Sequence, residues 1–408
     1  MGDGHRILSV YRKIGTAALL VACSLVAVPV TASAVTITIR NNDLPGKGFN
    51  DPSPVQPVGG NPGRSLGAQR LFLFQYAADI WSERLGGNVP IVVSASFSQQ
   101  GGTSVSAVLG FARPTTVHDD FTNAPKPSTW YVAALANQRI GIDLNDLLPG
   151  ECPIALAGNH CPEIEANFNS DVDGPVVLGL HDFYYGVDGN NGIDIDFLSV
   201  LLHEIGHGLG FLTLVDPNGV KFNGEDDPYL SLLEDMLLTP RKLSAMTDTQ
   251  RKIALRADGN LVFTGAATLA AAGGLAAGRR VDGALKVFAP SIYQLGSSVS
   301  HVDTVASPNE LMEPYLSDPQ PHNLDITVAM LADMGWTEHA NAVCGDANGD
   351  GSVSTSDALM VLRGAVGNGA CPLAVCNVNN FGGVTTADAL LVLRRSVGQP
   401  VSLTCPQA

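Results

Sequence analysis

The chain has 408 residues, a net charge of −16, 45% apolar residues and seven cysteines. That length exceeds one ordinary core, and that apolar content argues against wholesale disorder. No long basic run is present, which argues against nucleic acid as a partner, because phosphate contact needs clustered Lys and Arg.

Arg6, Arg12 and Lys13 precede an apolar run from Ile14 to Val30, and Ala32-Ser33-Ala34 follows with a small-x-small pattern. Residues 1–34 therefore read as a signal peptide and the mature protein as secreted. The run is short for a membrane span and contains Pro29. Leu20-Val21-Ala22-Cys23 offers an alternative, a lipobox; only lipidation at Cys23 would tie the protein to a membrane, as a lipoprotein at the cell surface. Removing Cys23 leaves Cys152, Cys161, Cys344, Cys371, Cys376 and Cys405, an even, clustered set that reads as disulfides in an exported chain.

Residues 41–64, rich in Gly, Pro and Asn, read as irregular structure. The periodicity predicts a helix from Ser65 to Leu85 with Leu71, Phe74, Ala78 and Trp81 on one face, then a buried strand from Val89 to Phe97. A second helix opens near Asp194 or Asp196, either of which can cap it; Leu198, Leu201, Leu202, Ile205 and Leu209 share one side. Residues 214–290 read as an insertion with a helix near Tyr229–Leu238 and a packed Ala/Gly-rich stretch from Ala266 to Gly278. Asp325–Leu331 reads as a short helix leading into Met334-Gly335-Trp336.

The second helix carries His203-Glu204-Ile205-Gly206-His207. Histidines four apart project from one helical face and can fill two positions of a tetrahedral zinc, with Glu204 placed as general base toward a metal-bound water. Gly210 completes H-E-x-x-H-x-x-G, and a glycine there can end the helix in the left-handed conformation. The next metzincin ligand position holds Thr213, a poor zinc ligand, so the third ligand must come from elsewhere. Downstream candidates are His301, His322 and His339; Glu225 is the rival that would make a gluzincin. His118, His160 and His181 read as loop or surface residues.

His301, in Gly296-Ser-Ser-Val-Ser-His301, is followed by Glu310-Leu311-Met312-Glu313-Pro314, and later by Leu324 to Trp336. Together with the helix motif and the long insertion, these segments resemble the leishmanolysin-type metzincins. The resemblance implies one catalytic zinc on His203, His207 and His301, Glu204 as catalytic base, and Met312 in a methionine turn beneath the metal. It also implies an α+β catalytic domain over residues 35–340, with a twisted sheet above the active-site helix. Substrates would be proteins or peptides, laid along an edge strand drawn from residues 163–169. No cysteine lies between the signal and the first helix, which departs from the inhibitory propeptide of those enzymes. The contrasting class is a non-catalytic adhesion or scaffold protein; an intact Glu204 argues against it.

From residue 343 the texture changes. Asp357-Ala-Leu-Met-Val-Leu-Arg363 recurs as Asp388-Ala-Leu-Leu-Val-Leu-Arg394, an internal repeat that marks a separate module over 343–408. Asp346, Asn348, Asp350, Ser352 and Asp357 stand at ligand positions of an EF-hand-like loop with Gly351 at its sixth position. In the second copy Asn377, Asn379 and Asp388 align, but Phe381 replaces an oxygen ligand, so one or two calcium ions are expected, the second weakly held. Two such loops, each followed by D-A-L-x-V-L-R, resemble a type I dockerin. That implies a small all-α module and a cohesin-like partner.

Overall fold

The structure, a computed structural model, describes residues 33–145, 161–237, 240–316, 320–339, 343–347, 352–366, 371 and 373–405. The apolar run assigned to the signal peptide lies outside these residues, as do Cys152, His160, Asn348 and Asp350.

In chain order the first half runs β1 (Ile37–Asn41), α1 (Leu66–Arg84), β2 (Leu85–Gly86), β3 (Ile91–Ser98), β4 (Gly110–Pro114), β5 (Val117–His118), β6 (Tyr131–Val132) and α2 (Ala133–Ile140). It continues with β7 (Ile164–Asn169), β8 (Phe183–Tyr184), β9 (Ile195–Asp196) and α3 (Phe197–Gly208). The inserted region supplies β10 (Leu233–Asp235), β11 (Arg241–Lys242), α4 (Asp248–Ala254), β12 (Leu261–Phe263), α5 (Ala266–Ala271) and β13 (Leu285–Lys286). Then follow α6 (Thr327–Met334), β14 (Thr337–Glu338), α7 (Thr355–Ala365), α8 (Leu373–Cys376) and α9 (Thr386–Ser396). The fold is mixed α+β. Among the described residues no helix is long and apolar enough to cross a membrane.

The principal sheet has the order β1-β3-β7-β4. β3 runs parallel to both β1 and β7, while β4 is antiparallel to β7. β3 is central, and Ile91, Val93, Ser94, Ala95 and Phe97 are all buried, as a strand covered on both faces requires. Residues 163–169 are not an edge: β7 pairs on both sides, with Ala166 opposite Ala95 and Ala112. Its run of inward apolar residues suits an interior strand. The edges are β1 and β4, and α3 packs beneath β4.

Ser65 caps α1, its hydroxyl accepting the Ala68 N–H. The buried face of α1 carries Leu73, Phe74, Ala77, Ala78 and Trp81, whereas Leu71, expected on it, is exposed. Asp196 is the cap of α3, with its Oδ1 3.0 Å from the Ser199 N–H. Between α1, the sheet and α3 lies an aromatic cluster: the Phe74 and Phe197 rings both meet Phe168 edge-on, at 5.4 and 5.1 Å between centroids. Trp81 Nε1 donates to the Leu202 carbonyl at 3.0 Å and Trp336 Nε1 to the Leu209 carbonyl at 2.9 Å, bracing α3 at two points.

The insertion folds as a second sheet in the order β11-β10-β12-β13. The helix expected near Tyr229–Leu238 is instead a 3-10 turn at Leu230–Leu232 that enters β10. Leu233 meets Phe263 across the ladder, and this tertiary pairing outweighs local helical preference. The Ala/Gly-rich stretch forms α5 and a further 3-10 turn. The short helix expected over Asp325–Leu331 spans Thr327–Met334 and ends at Gly335, φ +119°.

The C-terminal repeat has its own small core of Ala358, Val361, Val375, Cys376, Val378, Ala389 and Val392. Disulfides Cys344–Cys405 and Cys371–Cys376 close it, and Cys161 is also disulfide-bonded. Crosslinking a core this small offsets its limited apolar burial. The module rests against α1: α8 packs there, and a Cβ built on Gly383 would meet the Phe72 ring at 3.8 Å.

A Cβ at Gly208 would lie 2.5 Å from Ile164 Cγ2 on β7, so the helix and sheet approach through a glycine. Gly208→Ala should cost about 1–3 kcal/mol in urea denaturation. Gly273→Ala, which meets nothing within 4 Å, is the control and should be neutral or slightly stabilising. Equal stability of the two variants would contradict this packing.

Candidate metal centre

α3 presents His203 and His207 on the side opposite its buried leucines, and His301 arrives from the loop after β13. The three Nε2 atoms form a triangle with edges of 3.0, 3.2 and 3.2 Å. Four-coordinate zinc with nitrogens at 2.0–2.1 Å sets them about 3.3–3.4 Å apart, so the donor set fits a tetrahedral ion with one position left over.

Each Nδ1 identifies the tautomer. His203 Nδ1 is 2.8 Å from the Leu311 carbonyl, His207 Nδ1 2.8 Å from that of Phe211, and His301 Nδ1 2.8 Å from that of Ser297. A carbonyl oxygen only accepts, so each Nδ1 carries the proton. Burial pushes His203 down to about 4. Burial and the neighbouring His203 push His207 down to about 3, and burial with both partners holds His301 well below its ordinary value. All three rings are thus neutral, with bare Nε2 lone pairs aimed at one point, the electronic state of a metal ligand. His301 is buried, at 4% exposure, while His203 and His207 remain partly exposed, so the site opens on one side.

Glu204 follows His203 and is buried; desolvation pushes its carboxyl up to about 8, opposed by the Ala112 N–H of edge strand β4. Met312 is fully buried under the helix: a Cβ on Gly206 would meet its Sδ at 3.0 Å. Gly210 has φ +112°, which turns the chain away after His207. Thr213 points elsewhere, its hydroxyl donating to Asp227 Oδ2 at 2.8 Å. Glu225 does not join the triangle; it sits beside Asp119 and Asp120. His322 holds the cap of α3, with Nε2 2.5 Å from Asp196 Oδ2, and His339 Nδ1 is 3.2 Å from the Glu83 carbonyl. His118 faces Thr116, and His181 the Ile193 carbonyl. Among the described residues, this triad is the cluster of His, Cys, Asp or Glu arranged to hold a metal ion. The orienting carbonyls of Leu311, Phe211 and Ser297 left no mark in the sequence, because any residue type supplies one.

In the C-terminal loops, Asp346, Asp357, Asn377 and Asp388 are buried. Asp357 and Asp388 also close capping boxes at the starts of α7 and α9, with Ser354 and Thr385. The second loop satisfies its polar groups internally: the Phe381 N–H reaches Asn377 Oδ1 and Asn379 Oδ1, and Asn377 Nδ2 donates to the Gly382 carbonyl at 2.7 Å. Phe381 itself is 82% exposed.

No family model matches the chain, and no curated protein matches it. The site therefore rests on its own geometry. Elemental analysis of purified His301→Ala should find bound transition metal sharply reduced, whereas Glu225→Ala should retain it. The reverse pattern would assign the third ligand to Glu225.

Proposed function

We propose that the chain is a secreted zinc-dependent endopeptidase of the metzincin kind, similar to the leishmanolysins. The observation that carries the reading is the convergence of three neutral Nε2 atoms within 3.2 Å beside a buried carboxyl group. His203, His207 and His301 would hold the ion, which when bound polarises a carbonyl and makes water acidic enough to attack near neutral pH. In its ionised form, which a cation held by the triad would favour against burial, Glu204 takes the proton from the attacking water as the water oxygen adds to the scissile carbonyl carbon. The same carboxyl returns that proton to the leaving amide nitrogen as the C–N bond breaks. Met312, packed against Gly206, keeps the helix floor in place under both histidines.

An extended peptide fits along β4, the sheet edge next to Glu204, by strand addition. The Ala112 N–H lies on that edge and reaches toward the carboxyl, so the base and the strand-binding edge are one continuous surface. The C-terminal repeat we read as a dockerin-like calcium module; Asp346 and Asp357, buried at the ends of the first loop, support it, and a cohesin-like protein is the matching partner.

Glu204→Ala should keep its zinc yet lose casein or gelatin hydrolysis by about 10²–10⁴-fold, the usual contribution of a general base. Turnover surviving in that variant would sink the mechanism. For the module, calorimetry on the intact protein should find calcium bound more tightly by the first loop, and Asp346→Ala should remove that event. Two equal sites, or binding untouched by Asp346→Ala, would refute the loop assignment.

A further inference from the structure

The segment that holds His203 is itself held by a pair of acids. Leu311 accepts from His203 Nδ1 through its carbonyl, and its own N–H donates to Asp325 Oδ2. Asp325 has φ +36°, the left-handed region that an Asp tolerates better than most residues. From there its other oxygen takes the Thr327 N–H at 3.0 Å and the Thr327 hydroxyl at 2.9 Å. Glu310, only 4% exposed, hydrogen-bonds side chain to side chain with Asp325, while its Oε2 takes the Ile326 N–H at 3.3 Å. Two carboxyl groups in such contact can form a hydrogen bond only if one of them is protonated. The same segment reaches a second histidine, because the Val302 N–H, next to His301, donates to the Met312 carbonyl at 2.8 Å.

We propose that Glu310 and Asp325 are a positioning pair that shares one proton, locks the Leu311 peptide against His203 and so pre-forms the metal centre, releasing it when the proton is lost. This rests on the reading of the histidine triad as a metal site. The charged groups that bear most on Glu310 are Asp325 and Glu313, both acidic. Burial, then the charge of Asp325, pushes the Glu310 carboxyl up to about 8 from an ordinary 4.5. Burial also raises Asp325. A raised carboxyl binds its proton more tightly folded than unfolded. Its contribution to stability is therefore full below about 4.5 and is lost as pH rises toward about 8. Past that point two carboxylates face each other, and the Leu311 peptide loses its anchor.

The test uses the full chain and two readouts across pH 5 to 9: the thermal midpoint of metal-free protein, and Zn2+ affinity by competition with a chelator. In the wild type the midpoint should fall over this range, and zinc affinity should drop roughly tenfold for each pH unit above about 8. Glu310→Gln keeps a donor to Asp325 but cannot ionise, so it should fold with a flatter midpoint profile and hold zinc without the alkaline loss. Asp325→Asn should weaken zinc at every pH while leaving a folded protein. Parallel wild-type and Glu310→Gln profiles in both readouts would overturn the proposal. If the wild type binds no zinc at any pH, the metal reading fails, and the metal-free midpoints alone then decide whether the proton is shared.

Discussion

Three hydrogen bonds from imidazole Nδ1 to backbone carbonyls govern the site. Each is 2.8 Å long, and each fixes which ring nitrogen carries the proton. Without them the rings could turn or exchange tautomers, and the lone pairs would not converge. Hydrogen bonds to the outer nitrogen orient a ligating histidine and raise its basicity, so these carbonyls matter as much as the rings they hold. They come from three places: the end of α3, the loop before His301, and the turn at Leu311. The scaffold has to bring those three backbones together.

The rest of the fold meets that requirement. Helix α3 is buried on one side against the sheet through Phe168 and Phe197, braced by the indoles of Trp81 and Trp336, and started by Asp196. Asp196 is anchored in turn by His322 and by the Gln320 side chain, which accepts its N–H at 3.0 Å. The helix is therefore rigid in rotation as well as position, which its two histidines need. The insertion with its own sheet ends at β13, from which the chain passes directly to the His301 loop: the Phe288 N–H donates to the His301 carbonyl at 3.0 Å. A long excursion in sequence thus returns its last strand to the histidine triad.

In the C-terminal repeat, two acids at the loop ends also cap helices. Asp357 and Asp388 stand where an EF-hand loop places its last ligand, and both cap the helix that follows. Capping alone is reason enough for an acid at that position, so the case for calcium in the first loop depends on the other ligand positions. The second loop, with Phe381 in place of an oxygen ligand, has turned its amides onto its own backbone.

The local patterns were legible in the sequence. Histidines four apart on a helix with one apolar side, a capping acid before it and an internal repeat are all short-range signals, written in periodicities that backbone geometry enforces. Choices between distant segments were not. Asp194 and Asp196 were equal as caps until Gln320 and His322 selected one of them. Leu71 and Leu73 both suit a helix, and only the position of the sheet buried the second. Residues 163–169 have the pattern of a strand, but whether a strand is central or at an edge depends on its neighbours, and β1 and β4 took the edges. The segment after Tyr229 became a strand because Phe263 lay across from it. His301 sits 94 residues beyond His207, and nothing in local periodicity can rank it against other downstream donors by geometry. Nor could the sequence announce that Glu310 meets Asp325, or that the peptide between them and His203 is the link. Sequence spacing dictates which residues share a face; tertiary packing alone decides what that face meets.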